Sequence, residues 1–132
     1  MNDDCPCGSG RTYDECCGRL HRGEAQATTA EQLMRSRYSA FAVGDGAYLA
    51  RSWAAEARPE QIVLAPDQRW VGLEVLATSG GGVLASEGIV EFRAAYERNG
   101  RIGALHERSR FAREDGRWVY VGPEGTAGPP AG

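Results

Sequence analysis

All four cysteines of this 132-residue chain lie between positions 5 and 17. A disulfide framework ties distant segments together, whereas the widest loop available here spans only about a dozen residues. Cys5 and Cys7 are too close in the chain for an unstrained bridge, as are Cys16 and Cys17. The Cys-x-x-Cys spacing of redox catalysts is absent. Metal binding is the remaining strong reading, with four free thiols and no metal as the bland alternative. The pattern Cys5-x-Cys7-x8-Cys16-Cys17 offers four thiolates, a set that suits tetrahedral zinc. Gly8-Ser9-Gly10, between the pairs, lets the backbone turn tightly and point amides at sulfur. Such contacts offset the net charge of about −2 on a four-thiolate zinc centre. Arg11, Arg19 and Arg22 are placed to offset it further. A closed four-sulfur shell leaves no position for water, so the ion would be structural. His21 follows Cys17 after three residues and is a rival for the fourth position; otherwise it is a surface residue near the site.

Composition bounds the rest. The length suits one compact domain with a small appended module. Hydrophobic residues make up 42% and charged residues 25%, values that exclude a disordered or collagen-like chain. No apolar run approaches the ~20 residues of a membrane span, and Met1-Asn2-Asp3-Asp4 does not resemble a signal peptide. The expected location is the cytoplasm. The net charge of −3 argues against a whole-protein nucleic-acid footprint. Every basic residue is arginine, which removes lysine chemistry such as a Schiff base.

Residues 5–18, Cys-Pro-Cys-Gly-Ser-Gly-Arg-Thr-Tyr-Asp-Glu-Cys-Cys-Gly, resemble the SEC-C zinc motif found at the C-terminus of the SecA translocation ATPase and in many small bacterial proteins. The resemblance implies zinc on Cys5, Cys7, Cys16 and Cys17. Members often carry lysines inside the loop. Here Arg11-Thr12-Tyr13-Asp14-Glu15 stands there, and its acidic pair speaks against ribosome or RNA contact.

Residues 19–27 are polar without a period and read as a linker. Thr28-Thr29-Ala30-Glu31 resembles a capping box with Thr28 as N-cap. A helix follows over 31–43, with Met34, Tyr38, Phe41 and Ala42 on one stripe. Gly44 suits its end, and Asp45 can cap a second helix over 46–57 with Leu49 and Trp53 inward. Pro59 and Pro66 bound an irregular stretch. From Arg69 the period becomes two, through Val71, Leu73, Val75 and Ala77. Thr78 to Gly82 reads as a flexible turn, and strands follow at 86–97, 101–113 and 117–122. Asn99-Gly100 and Asp115-Gly116 are hairpin signals. A two-residue loop at Asn99-Gly100 sets Arg98 against Arg101, Ala94 against Leu105, Phe92 against Glu107 and Val90 against Ser109. One face then carries Val90, Phe92, Ala94, Tyr96, Leu105 and Phe111, joined by Trp118 and Tyr120. The other carries Glu91 opposite Arg108 and Arg93 opposite His106.

The fold class expected is α+β: an N-terminal SEC-C motif, then two helices packed on a curved antiparallel sheet of about four strands. This order is similar to the nuclear-transport-factor-2-like cone. Leu33-Met34-Arg35-Ser36-Arg37-Tyr38-Ser39-Ala40-Phe41 and His106-Glu107-Arg108-Ser109-Arg110-Phe111, before Asp115-Gly116-Arg117-Trp118-Val119-Tyr120, resemble signatures of the bacterial YchJ family. That resemblance implies a SEC-C motif over 1–22 and a cone-like domain over 28–122. The Gly- and Pro-rich end, 123–132, is expected to be disordered.

Glu107 is the oddity, because the register puts a carboxylate on the apolar face, where it needs a partner. Arg37 on the first helix is a candidate partner in a structural pair; the other reading makes Glu107, Arg37 and Ser109 the lining of a pocket. No catalytic triad, phosphate loop or paired carboxylates are visible. The functional expectation is a structural zinc protein acting as a protein-interaction or adaptor module with a protein partner. The alternative is a small-molecule-binding or catalytic cone with Glu107 and Arg37 in its pocket.

Overall fold

The computed structural model describes residues 4–62, 64 and 67–124. Three helices, α1 (Cys17–His21), α2 (Ala30–Val43) and α3 (Gly46–Arg51), precede four strands, β1 (Gln68–Gly80), β2 (Glu87–Arg98), β3 (Arg101–Glu114) and β4 (Arg117–Pro123). The strands form one antiparallel sheet in sequential order. Pro66 and residues 125–132 of the expected tail lie outside the described residues.

The two hairpins are set by their turn residues. Asn99 (φ 54°) and Gly100 (φ 77°) both adopt positive φ, as do Asp115 (φ 54°) and Gly116 (φ 82°), the pattern whose twist matches paired strands. The β2–β3 register follows: Arg98 opposes Arg101, Ala94 opposes Leu105, Phe92 opposes Glu107 and Val90 opposes Ser109. Tyr120 opposes Phe111, and Trp118 opposes Arg113 on the same face. The first connection differs from the expected turn. Thr78, Ser79 and Gly80 stay in β1, because Gly80 pairs with Gly88 and only then does the chain reverse. Gly81 and Gly88 pass so closely that a Cβ on Gly88 would sit 2.5 Å from the Gly81 Cα. Register shifts beside Val71 and Leu76 bend β1 at the sheet edge, a feature that discourages pairing with other chains.

Helix α2 is central, and no single stripe describes it. Ala30, Leu33 and Met34 pack on Val90, Phe111 and Trp118 of the sheet. Tyr38 meets the cysteines and Ala94. Ala40 meets Leu20 of α1 and Tyr48 and Leu49 of α3. Ser36, Arg37 and Ser39 are buried too, whereas Phe41 is exposed and leans on Trp70. The N-cap is Thr29, one residue later than expected: its side chain accepts from the Gln32 N–H, while the Gln32 amide oxygen accepts from the Thr28 N–H. Gly44 ends the helix at φ 82° and Asp45 caps α3, accepting from the Tyr48 N–H.

Two further expectations are corrected. Part of the supposed linker is α1, whose Leu20 and His21 are buried. The helix expected to reach residue 57 stops at Arg51. There the backbone turns to β4: the Ala54 N–H donates to the Tyr120 carbonyl, and the Tyr120 N–H donates to that of Ser52. Trp53 is half-buried against Tyr120 in that flanking segment.

Candidate metal centre

The N-terminal loop folds back on itself through short backbone bonds. The Cys5 N–H donates to the Arg11 carbonyl, and the Cys16 and Gly18 N–H groups donate to that of Tyr13. Gly8 and Gly10 adopt positive φ, 81° and 87°, which a residue with a Cβ would strain to reach. The result brings the Sγ atoms of Cys5, Cys7, Cys16 and Cys17 within 4.8 Å of one another. The Sγ of Cys16 lies 3.7 Å from that of Cys7 and 4.0 Å from that of Cys17, far beyond a disulfide bond of about 2.05 Å. All four are free thiols, and Cys5, Cys7 and Cys17 are buried. The cluster is positioned to bind a metal.

The sulfurs have donors in place. The Ser9 hydroxyl lies 3.2 Å from the Cys16 Sγ, and the Ser39 hydroxyl of α2 lies 3.5 Å from the Cys5 Sγ. Cys5 is held well below the ordinary thiol range by hydrogen bonding from Cys17, then Cys7, with smaller help from Ser39 and the Cys7 amide. Cys17 is pushed well above it, because its proton is shared with Cys5, then Cys7, and because it is buried. Cys5 is thus favoured as thiolate over Cys7 and Cys17, whose thiols are pushed above the ordinary range. A cation among the four sulfurs would favour their thiolate forms.

His21 does not reach this cluster as a ligand. Its Nε2–H donates to the Ser36 carbonyl at 2.8 Å. That fixes the tautomer and leaves Nδ1 to accept from the Tyr13 hydroxyl at 2.5 Å. The ring also packs on Tyr48 at 4.6 Å. His21 is thus a latch between the cysteine loop and the helices. Among the arginines, Arg19 donates to the Glu15 carbonyl and Arg22 binds Asp14 and Glu24. Arg35 of α2, which the sequence pattern does not link to the cysteines, donates instead to the Cys7 carbonyl at 2.7 Å. Arg35, Tyr38 and Ser39 are fellow members of one helical surface, but nothing in the sequence ties them to cysteines some thirty positions away.

The second candidate cluster differs from expectation at its centre. Arg37 and Glu107 form no direct pair. Arg37 is buried and donates to the Leu49 carbonyl (2.9 Å) and the Ser52 hydroxyl (2.7 Å). Its guanidinium lies 4.5 Å from the Tyr120 ring centroid and 4.8 Å from that of Trp53. Burial draws its pKa down to about 10. The Glu107 Oε2 accepts from the Ser109 hydroxyl at 2.5 Å and the Tyr120 hydroxyl at 2.9 Å. Burial, and then Glu107, push the Tyr120 phenol up. Tyr120 thus stands between cation and carboxylate, presenting its ring to one and its hydroxyl to the other. The ring face stabilises Arg37 as cation–π, which explains why the direct ion pair is unnecessary. A groove of about 500 Å³ lies elsewhere, at the tip of the β2–β3 hairpin beside Tyr96 and Arg101.

On the outer sheet face Glu91 accepts from His106 (2.6 Å) and Arg108 (3.1 Å), and Arg108 also binds Glu124 (2.6 Å). His106 and Arg108 are exposed, as a solvated face requires. Among the described residues no helix is long and apolar enough to cross a membrane.

A four-cysteine loop locked onto an α+β cone defines the class: an N-terminal cysteine module, positioned to bind a metal, joined to a nuclear-transport-factor-2-like domain. The SEC-C motif family matches residues 1–19, and the family described as "YchJ, middle NTF2-like domain" matches residues 29–123. The chain belongs to this YchJ-like family, whose relatives carry the name UPF0225. A UPF0225 protein of Streptomyces coelicolor is 53% identical over 120 residues, covering 91% of this chain and 94% of the relative. One from Corynebacterium glutamicum is 47% identical, with coverages of 91% and 95%. The solution structure of a SEC-C motif containing protein from Rhodopseudomonas palustris superposes with a TM-score of 0.82 at 38% identity, covering 96% of this chain and 99% of that one. The crystal structure of a SEC-C motif containing protein from Psychrobacter arcticus gives 0.75 at 25% identity, with coverages of 98% and 85%.

Proposed function

We propose that Cys5, Cys7, Cys16 and Cys17 hold a structural zinc ion and that the chain acts as a protein-interaction, or adaptor, module. The sulfur geometry carries the metal part of this reading. A regular tetrahedron with Zn–S bonds of about 2.3 Å has edges of about 3.8 Å. The two shortest separations noted above, 3.7 and 4.0 Å, bracket that value. Four sulfurs fill the shell, so the ion organises the loop and leaves no position for a reacting water. Free thiols suit a reducing compartment such as the cytoplasm.

The interaction part draws on the surface. The β1–β2 loop presents Val83 (61% exposed) and Leu84 (99% exposed) to solvent. Arg113 pins that loop: its guanidinium donates to the carbonyls of Val83 (2.5 Å), Ala85 (2.8 Å) and Gly116 (3.0 Å) and stacks on Trp118. An apolar pair held rigid beforehand loses little entropy on meeting a protein partner. Elemental analysis of protein purified without chelator tests the metal, with one equivalent of zinc expected and less than about half an equivalent overturning it. Affinity capture with wild type, the Cys16→Ser/Cys17→Ser double variant and Leu84→Ser tests the partner. Identical partner lists for all three would overturn the adaptor reading.

A further inference from the structure

A small cleft opens where the α1–α2 connection passes over the start of β4. Its volume is about 90 Å³, and its walls include Gln26, Tyr48, Arg51, Ser52, Arg117 and Trp118. Among the described residues no carboxylate lines it. Arg51 and Arg117 both line this concavity, so an anion there would meet guanidinium donors from two sides.

Each arginine is held or left free for an identifiable reason. Arg51 stacks on Tyr48 at 4.8 Å and uses Nη2 on the Leu20 and His21 carbonyls at the end of α1. Among the described residues its Nε and Nη1 have no hydrogen-bond partner, and the Arg117 side chain has none at all. Glu114 is the cross-strand neighbour of Arg117 and its natural ion-pair partner. The Glu114 carboxylate instead accepts the Ala55 N–H at 3.2 Å. Arg117 is thereby left half-buried at the mouth of the cleft with its donors unspent.

We infer that this cleft binds a small oxyanion of the phosphate class, gripped between Arg51 and Arg117. The volume of about 90 Å³ suits only a ligand of a few atoms. It is well short of the ~300 Å³ at which sites for larger organic ligands begin. Planar guanidinium forks match the paired oxygens of phosphate, and such charge-assisted bonds are about twice as strong as neutral ones. The inference stands apart from the zinc reading, since among the described residues neither arginine hydrogen-bonds a cysteine.

The test is a titration of the ¹⁵N-labelled, zinc-loaded full chain with inorganic phosphate at constant ionic strength, with sodium chloride as the blank. Saturable shifts of the Gly23, Ala25, Gln26 and Trp118 amide signals are expected. Arg117→Gln, which removes no other hydrogen bond among the described residues, should weaken binding about tenfold, and Arg51→Gln by at least as much. O-Phosphoserine in place of phosphate separates the two sources: tighter binding assigns the site to a phosphate carried on an organic molecule, weaker binding to the free ion. An absent response, shifts centred on the β2–β3 hairpin arginines, or wild-type affinity in Arg117→Gln would overturn the inference.

Discussion

Ser39→Ala should loosen the metal and cost the fold no more than the zinc binding it gives up. The Ser39 hydroxyl is fully buried and reaches the Cys5 Sγ from α2 at 3.5 Å. Deleting it leaves a void smaller than the ~30 Å³ of a water, so no solvent donor replaces it. Hydrogen bonds to charged groups contribute about 1.5–3 kcal/mol. The long contact places this one near the lower end, which corresponds to a drop in zinc affinity of about 10- to 30-fold. Helix stability should rise slightly, because alanine is the better helix former. Ser36→Ala provides the comparison. Ser36 is equally buried on the same helix, but its hydroxyl serves the Leu33 carbonyl and Tyr48. Competition with a graded chelator series at pH ~7 measures affinity, and urea unfolding of the zinc-saturated protein measures stability. The Ser39 variant should lose no more stability than the zinc-binding energy it gives up, about 1.4–2 kcal/mol, whereas the Ser36 variant should lose stability at unchanged zinc affinity. A Ser39 variant whose zinc affinity stays within about threefold of wild type would refute the reasoning that α2 completes the metal's surroundings.

Gly88→Ala should cost about 2–3 kcal/mol, because its Cβ would meet the Gly81 backbone, which cannot move aside as a side chain could; chemical denaturation with a cost below ~1 kcal/mol would count against that packing. Arg37→Ala should cost at least ~3 kcal/mol, since it empties the space between Trp53 and Tyr120 and unbinds Leu49 and Ser52, whereas Glu107→Gln keeps its acceptor and should cost under ~1 kcal/mol. Equal losses would mean that the two residues act as a pair after all. Stability should fall as pH rises above 10. Burial raises the phenol pKa values of Tyr38, Tyr48 and Tyr120 above the ordinary 10, so the unfolded chain releases protons that the folded one keeps, and their contribution, intact below pH 10, is lost in that window. Tyrosinate absorbance should appear together with loss of tertiary structure; ionisation of all five tyrosines in a still-folded protein would contradict this.

What depends on neighbours along the chain is legible from the residues alone. Asn-Gly and Asp-Gly supply positive φ at two successive positions, and strand side chains alternate with period two, so the β2–β3 pairing and its apolar face could be read residue by residue. Four thiols at short spacing likewise left metal as the strongest reading, because each rival needs a separation the chain does not offer. Capping residues showed where α2 stops, at Gly44, and where α3 starts, at Asp45. Which distant groups meet follows only from packing in three dimensions. α2 is enclosed on several sides, so a one-stripe reading exposed the wrong residues, hid Ser39 and Arg35 from the metal loop and left Phe41 inside. α3 ended early because the β4 edge competed for its backbone, and no local signal encodes that competition. His21 turned to Ser36 rather than to metal, and Arg37 to Ser52 and two aromatic faces rather than to Glu107. A buried polar group takes whichever partner packing brings within about 3 Å, and that choice is made in space, not along the chain.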